Sequence, residues 1–230
     1  MDSNTLSTID FLLFSYFAFS LKTLRKEEAG AILDRLIERA YRDAASHVKA
    51  ENSNRKTIGK RILHSEIDNL VKRKTKSCKP SYDKWHNNLC VKMKSELSCT
   101  YGFAQKWVNM TMKYILLICD LRPDLNEITG KIPFYDQYYD CIITYRSDLH
   151  APVDRYIINA VWKNDDIPLP LKDSKKKKRQ SECKNPSEHV IAWSKWDEGP
   201  YKAFYQKLRK QHTCVIDWEG TAWIESAEGK

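Results

Sequence analysis

Apolar residues recur at three- and four-residue intervals through most of the chain, and that spacing predicts a protein built of helices. Ala29 to Val48 carries Ala29, Ile32, Leu33, Leu36, Ile37, Ala40, Tyr41 and Ala44 on one face. After a polar break at Glu51 to Arg55, a second helix with Ile58, Ile62, Leu63, Ile67, Leu70 and Val71 runs into the basic stretch Lys72 to Lys79, which Pro80 ends. Trp85, Leu89, Met93 and Leu97 mark a third helix, and Phe103 to Cys119 a fourth, closed by the Arg122-Pro123 turn. An aromatic segment, Phe134 to Tyr145, leads to a helix expected to start at Pro152, since proline suits a first helical turn. The fold class is therefore mainly α, a helical bundle with room for two helical subdomains and a cleft between them.

Three regions follow. Residues 1–163 form a helical main body and 164–186 a basic loop with three prolines and the run Lys175 to Arg179. Residues 187–230 are an aromatic-rich segment, holding Trp193, Trp196, Tyr201, Phe204, Tyr205, Trp218 and Trp223, that can bury those rings only by packing back on the body. The run Ile9 to Leu21 is strongly apolar but short for a bilayer and interrupted by Asp10, which predicts a buried first helix and no membrane partner.

Composition sharpens the picture. In 230 residues, 39 Lys and Arg face 30 Asp and Glu, a formal charge of +9, and only 7 Gly and 8 Pro appear. Disorder of the whole chain is excluded, and a polyanion is the expected partner. Arg55, Lys56, Lys60 and Arg61, then Lys72, Arg73, Lys74 and Lys76, with Arg155 further on, are the candidates for contacting a phosphate backbone; a merely solvated basic surface is the plainer alternative. The seven cysteines are odd in number and several sit in apolar helical patterns, as reduced thiols of a cytoplasmic or nuclear protein would. No Cys-x-x-Cys or His-x-x-x-His spacing occurs, so no metal and no cofactor are expected.

The most unusual stretch is Tyr101 to Ile115. On a helix, Phe103, Trp107, Met110, Tyr114 and Leu117 form one apolar stripe and Ala104, Val108, Ile115 and Ile118 an adjoining one. Lys106, Asn109 and Lys113 share the narrow polar face that remains. A lysine on a largely buried helix must reach water, a carboxylate or a phosphate, and a desolvated lysine is the type that forms Schiff bases; snorkelling at the core's edge is the structural alternative. Downstream, Leu149 to Ile158 places Asp154 and Arg155 at the start of an apolar helix, where the helix dipole favours an acid.

Taken together, Gln105-Lys106 with Lys113 on the same helix, and the Pro152-Val153-Asp154 turn, resemble the catalytic half of the helix-hairpin-helix DNA glycosylase superfamily, most closely its archaeal 8-oxoguanine branch. The resemblance covers roughly Tyr101 to Ile158, about a quarter of the chain. It implies that Lys106 attacks the anomeric carbon and that Asp154 stabilises the oxocarbenium charge and assists proton transfer. It further implies excision of a damaged or modified base from duplex DNA, with or without strand nicking. The superfamily's glycine-rich hairpin is not evident, Gly130 being the only glycine between the two motifs.

A flipped base needs stacking partners and hydrogen bonds to its edge. Trp107, Trp193 and Trp196 are the stacking candidates, and Gln105, Asn109, Lys113 and His150 the polar ones. Two rival readings stand beside this one. Arg42 and His47 fit the Arg-x4-His pattern of HEPN-type ribonucleases, and a non-enzymatic immunity or regulatory factor would use the basic loops and aromatic surface to dock a protein or an RNA. The docking reading expects Lys106 and Asp154 to lie apart and away from any cleft.

Overall fold

A computed structural model describes residues 3–46, 53–74, 81–122, 125, 131–162, 166–172 and 186–229. The architecture is a mainly α helical bundle. The helices are α1 (Ser3–Phe17), α2 (Leu21–Lys26), α3 (Ala29–Ala45), α4 (Ser53–Lys74), α5 (Tyr82–Glu96) and α6 (Tyr101–Asp120). After a π-helical turn at Tyr135–Tyr139 come α7 (Asp140–Thr144), α8 (Arg155–Val161), α9 (Pro186–His189), α10 (Glu198–Gln211) and α11 (Val215–Ala227). Among the described residues, extended pairing is confined to one isolated bridge between Leu171 and Val190.

The bundle is organised around α6. Thr100 caps it by accepting a hydrogen bond from the Phe103 amide at 3.1 Å, and nearly every residue from Tyr101 to Cys119 is buried. Helices α3 and α5 pack along it, α10 touches it, and α11 packs on α8. Their apolar faces merge into one continuous core from Leu13 to Ala222 rather than two separate ones. Two glycines allow the closest approaches. A Cβ at Gly59 would lie 2.2 Å from the Trp107 ring, so α4 admits that indole only because the position is bare. At Gly102 a Cβ would lie 2.0 Å from the Trp193 carbonyl oxygen, and the Gly102 amide donates to the Trp196 carbonyl at 2.8 Å. The 193–196 turn is thereby pressed against the first turn of α6.

Two expectations about the helices change. The Ile9–Leu21 run is not one buried helix: α1 stops at Phe17, Ala18 takes a left-handed φ of 59°, and Ser20 caps α2. Leu13 and Phe17 are buried, but Phe11, Leu12, Phe14 and Tyr16 are exposed, because α1 lies on the outside of the bundle and only one stripe meets a neighbour. Nor does Pro152 open a helix. Residues 151–154 are outside any helix, and Asp154, in extended conformation, caps α8, which begins at Arg155.

A buried polar network ties α5, α6, α10 and the 149–151 segment together. His86 Nε2 donates to Asn109 Oδ1 at 2.7 Å, and Asn109 Nδ2 lies 2.9–3.0 Å from Gln105 Oε1, the Ala151 carbonyl and the Tyr201 hydroxyl. Tyr201 bonds His150 Nδ1 at 2.9 Å, and His150 Nε2 donates to Asp83 at 2.9 Å. This geometry uses both imidazoles in their neutral form. Burial pushes the pKa of His86 well down, with the adjacent His150 adding to the effect; burial also lowers His150, against an opposing pull from Asp83. Arg209 and Asp148 are the other charged groups near this pair.

Because the unfolded histidines protonate near pH 6.5 while the folded ones resist, their stabilising contribution is complete above that pH and is lost as pH falls below it. The urea midpoint is expected to drop between pH 7.5 and pH 5.5, with a slope of up to about 1.4 kcal/mol per pH unit per histidine. His86→Gln should flatten that slope, and an unchanged slope in the variant would refute the assignment.

Candidate active site

Lys106, Met110, Lys113, Tyr114 and Leu117 fall on one face of α6 and form the floor of a cavity of about 820 Å³. One wall is built by the start of α8, with Asp154, Arg155, Tyr156 and Asn159, and by Glu219 and Trp223 of α11. Tyr16 of α1 and Asp43 and Ser46 at the end of α3 make another, and the 190–194 segment, including Trp193, closes the side.

At the centre Lys106 Nζ donates to Asp154 Oδ2 at 2.9 Å, with side-chain exposures of only 7% and 17%. Asp154 has further partners: its Oδ1 accepts from the amides of Tyr156 at 2.9 Å and Ile157 at 3.2 Å, and its Oδ2 accepts from Trp223 Nε1 at 3.2 Å. A carboxylate held by two helix-terminal amides, an indole and an ammonium is fixed in direction. The Lys106 ammonium also lies 5.1 Å from the centre of the Trp193 ring, a cation–π contact. Tyr156 and Trp223 stand beside it with ring centres 4.6 Å apart, and the Arg155 guanidinium covers Tyr156 at 4.5 Å.

Two turns further along α6, Lys113 Nζ pairs with Glu219 Oε2 at 2.5 Å. Glu219 is almost fully buried, and burial raises its pKa above the ordinary carboxylate range, with Asp154 adding to the rise and Lys113 and Lys106 opposing it. On the opposite wall the Tyr114 hydroxyl donates to Asp43 in a short hydrogen bond and lies 2.9 Å from the Tyr16 hydroxyl. Burial and the Asp43 carboxylate push the Tyr114 phenol upward, so it stays protonated.

Sequence reasoning named Lys106, Asp154, Lys113, Trp193 and Arg155, and the structure brings these to one cavity. It places the other base-reading candidates elsewhere. Gln105, Asn109 and His150 are consumed by the buried network, Trp107 is sealed in the core with its Nε1 donating to the Ile37 carbonyl at 3.0 Å, and Trp196 is buried with its Nε1 on the Ile191 carbonyl at 2.8 Å. Each is a polar or aromatic group satisfied inside the fold and unable to reach a ligand.

The phosphate candidates on α4 also divide. Arg55 donates to the Leu97 carbonyl at 3.1 Å, while Lys56 pairs with Glu38 at 3.3 Å and Lys60 with Asp34 and Glu38 at 3.1 and 3.0 Å, so acids of α3 already neutralise them. Arg61, Lys72 and Arg73 are exposed. Lys74 ends α4, its side chain not being among those described, and Lys76 and the Lys175–Arg179 run lie outside the described residues. Arg42 is exposed on α3 without lining the cavity, and His47 lies outside the described residues.

Residues that sequence reasoning did not assign to the site are Tyr16, Asp43, Tyr156, Glu219 and Trp223. Glu219 and Trp223 carry a usable signal, since an acid and an indole four residues apart share a helix face. Tyr16 and Asp43 carry none, because they meet Tyr114 only through the packing of α1 and α3. Among the described residues no group of three or more His, Cys, Asp or Glu is placed to hold a metal ion, and no helix is long and apolar enough to cross a membrane. No family model, curated protein or solved structure matches the chain.

Lys113→Met leaves Glu219 buried without its counter-ion. Its pKa is expected to rise further in a carboxyl-carbon NMR titration, and the protein to lose about 3 kcal/mol of stability in urea unfolding. A Glu219 titration identical to wild type would show that the pairing is not what sets it.

Proposed function

We propose that this protein is a DNA N-glycosylase, with an accompanying lyase step, that excises a modified base flipped into the cavity between α6, α8 and α11. The observation that carries the reading is the Lys106 amine held at 2.9 Å on the Asp154 carboxylate, both side chains largely buried, in a cavity flanked by Trp193, Tyr156 and Trp223. A partner-docking surface gives no reason for two distant segments to converge there. The net charge of +9 favours association with a polyanion.

The chemistry follows from these groups. Asp154 takes a proton from the Lys106 ammonium, freeing the amine to attack the anomeric carbon of the flipped nucleotide. The carbon–base bond breaks with its electron pair leaving on the base, and the proton that Asp154 took from Lys106 passes to that base as it departs, which returns Asp154 to its carboxylate form. The Asp154 carboxylate, whose direction α8 fixes, stabilises the positive charge that develops on the sugar. Opening of the sugar ring turns the new carbon–nitrogen bond into a Schiff base. Loss of the acidic proton next to it then expels the 3′-phosphate, or water hydrolyses the Schiff base and returns the lysine. Trp223 and Tyr156 offer faces for stacking, and Lys113 with Glu219 offers a donor and an acceptor to the base's polar edge.

Incubation with duplex DNA carrying an abasic site or a modified base, in the presence of borohydride, should give a covalent protein–DNA adduct. Lys106→Gln should abolish the adduct, and Asp154→Asn should slow its formation about a hundredfold or more. Base release that survives in Lys106→Gln would replace the lysine nucleophile by water. Neither adduct nor release over a broad panel of bases would overturn the reading.

A further inference from the structure

Resting on the glycosylase reading, we infer that the favoured substrate is a base enlarged by an uncharged, hydroxyl-bearing substituent, such as a sugar-carrying pyrimidine, whose appendage occupies the corner formed by Tyr16, Asp43, Ser46 and Tyr114.

The size of the cavity is the first argument. At about 820 Å³ it lies high in the range of roughly 300–1,000 Å³ that accommodates whole drug-sized ligands, well beyond one nucleobase. From Lys106 to Tyr114 the floor helix rises eight residues, about 12 Å. A base bonded to the sugar beside Lys106 meets the Lys113–Glu219 pair with its polar edge. The polar corner on the α1 and α3 side is then left over, and a plain base has no second polar edge with which to fill it.

The chemistry of that corner selects the appendage. Its polar groups are phenol hydroxyls, a serine hydroxyl and one carboxylate: Tyr16 and Tyr114 are joined at 2.9 Å, Tyr114 donates to Asp43, and Ser46 bonds the Asp43 carbonyl at 2.9 Å. Arg39 pairs with Asp43 at 3.3 Å and lies over the Tyr16 ring at 4.3 Å, and its buried Nε has no hydrogen-bond partner among the described residues. A carboxylate and hydroxyls in a cluster suit neutral hydroxyl groups, which both donate and accept. A phosphate would face the Asp43 carboxylate, whose Arg39 counter-ion does not line the cavity, and a plain hydrocarbon would leave the remaining lone pairs of the hydroxyls and the carboxylate without donors. The exposed Tyr16 ring gives a sugar an apolar face to lie against.

The test compares matched duplexes carrying cytosine, 8-oxoguanine, 5-hydroxymethylcytosine and enzymatically glucosylated 5-hydroxymethylcytosine. Base release and borohydride trapping are read with wild type, and equilibrium binding with Lys106→Gln. The glucosylated base should be released, and bound, at least about tenfold better than cytosine or 8-oxoguanine. Tyr16→Phe and Asp43→Asn should each shrink that ratio several-fold, with circular dichroism establishing that the variants fold. Preference for 8-oxoguanine over the glucosylated base would overturn the inference while leaving the glycosylase reading intact. No release from any duplex would overturn the glycosylase reading, and equal binding of glucosylated and plain duplexes by Lys106→Gln would then overturn the inference as well.

Discussion

The carboxylate of Asp154 is where the fold and the proposed chemistry meet. It caps α8, receives the Lys106 ammonium from α6 and accepts a hydrogen bond from the Trp223 indole of α11. A buried ammonium without such a partner is costly, and so is a buried carboxylate. Each therefore requires the other, and the backbone that carries one must be held within hydrogen-bonding distance of the backbone that carries the other. The surrounding packing supplies that constraint: α6 is clamped by α3 and α5, and α8 is braced by α11.

A second polar system, the His86–Asn109–Tyr201–His150 network, lies beside the cavity-facing stripe of α6 and is closed to solvent. The two systems divide the polar residues of one helix. Gln105 and Asn109 turn inward and specify how α5, α6 and α10 pack, whereas Lys106 and Lys113 turn to the cavity. An almost fully apolar helix would pack as well with its neighbours but would specify neither the register of α10 nor the placement of a reactive amine.

The cavity is asymmetric in its chemistry. Its α8 and α11 side holds the two lysine–carboxylate pairs and the stacking rings, and its α1 and α3 side lines the cavity with hydroxyls and a carboxylate. Gly102 matters to this layout because the absence of a side chain lets the Trp193 backbone sit against the first turn of α6, which brings the Trp193 ring over Lys106. Burial around Glu219 adds a carboxylate whose charge depends on Lys113, so the two readers of a base edge are themselves a coupled pair.

Most helix positions and the burial of α6 were legible in the sequence, because periodicity reports which face of a helix is dry; that a charged residue on a dry helix demands a partner was legible too, but Asp154 was linked to Lys106 only through the family resemblance. Even the short Gln-Lys and Pro-Val-Asp motifs pointed to the pair that the structure joins. What periodicity does not report is where a side chain goes once it is inside. Asn109 and Lys113 share a face of α6, yet one is consumed by histidine and tyrosine partners from distant segments and the other reaches the cavity. Tryptophan is similarly silent: Trp107, Trp193 and Trp196 look alike along the chain, and only tertiary packing leaves Trp193 at the cavity while α3 and α4 seal Trp107 and the C-terminal segment buries Trp196. The exposed stripe of α1 and the Tyr16–Asp43–Tyr114 corner were decided by tertiary structure alone, since they depend on which neighbour happens to cover each helix and at what angle the helices meet.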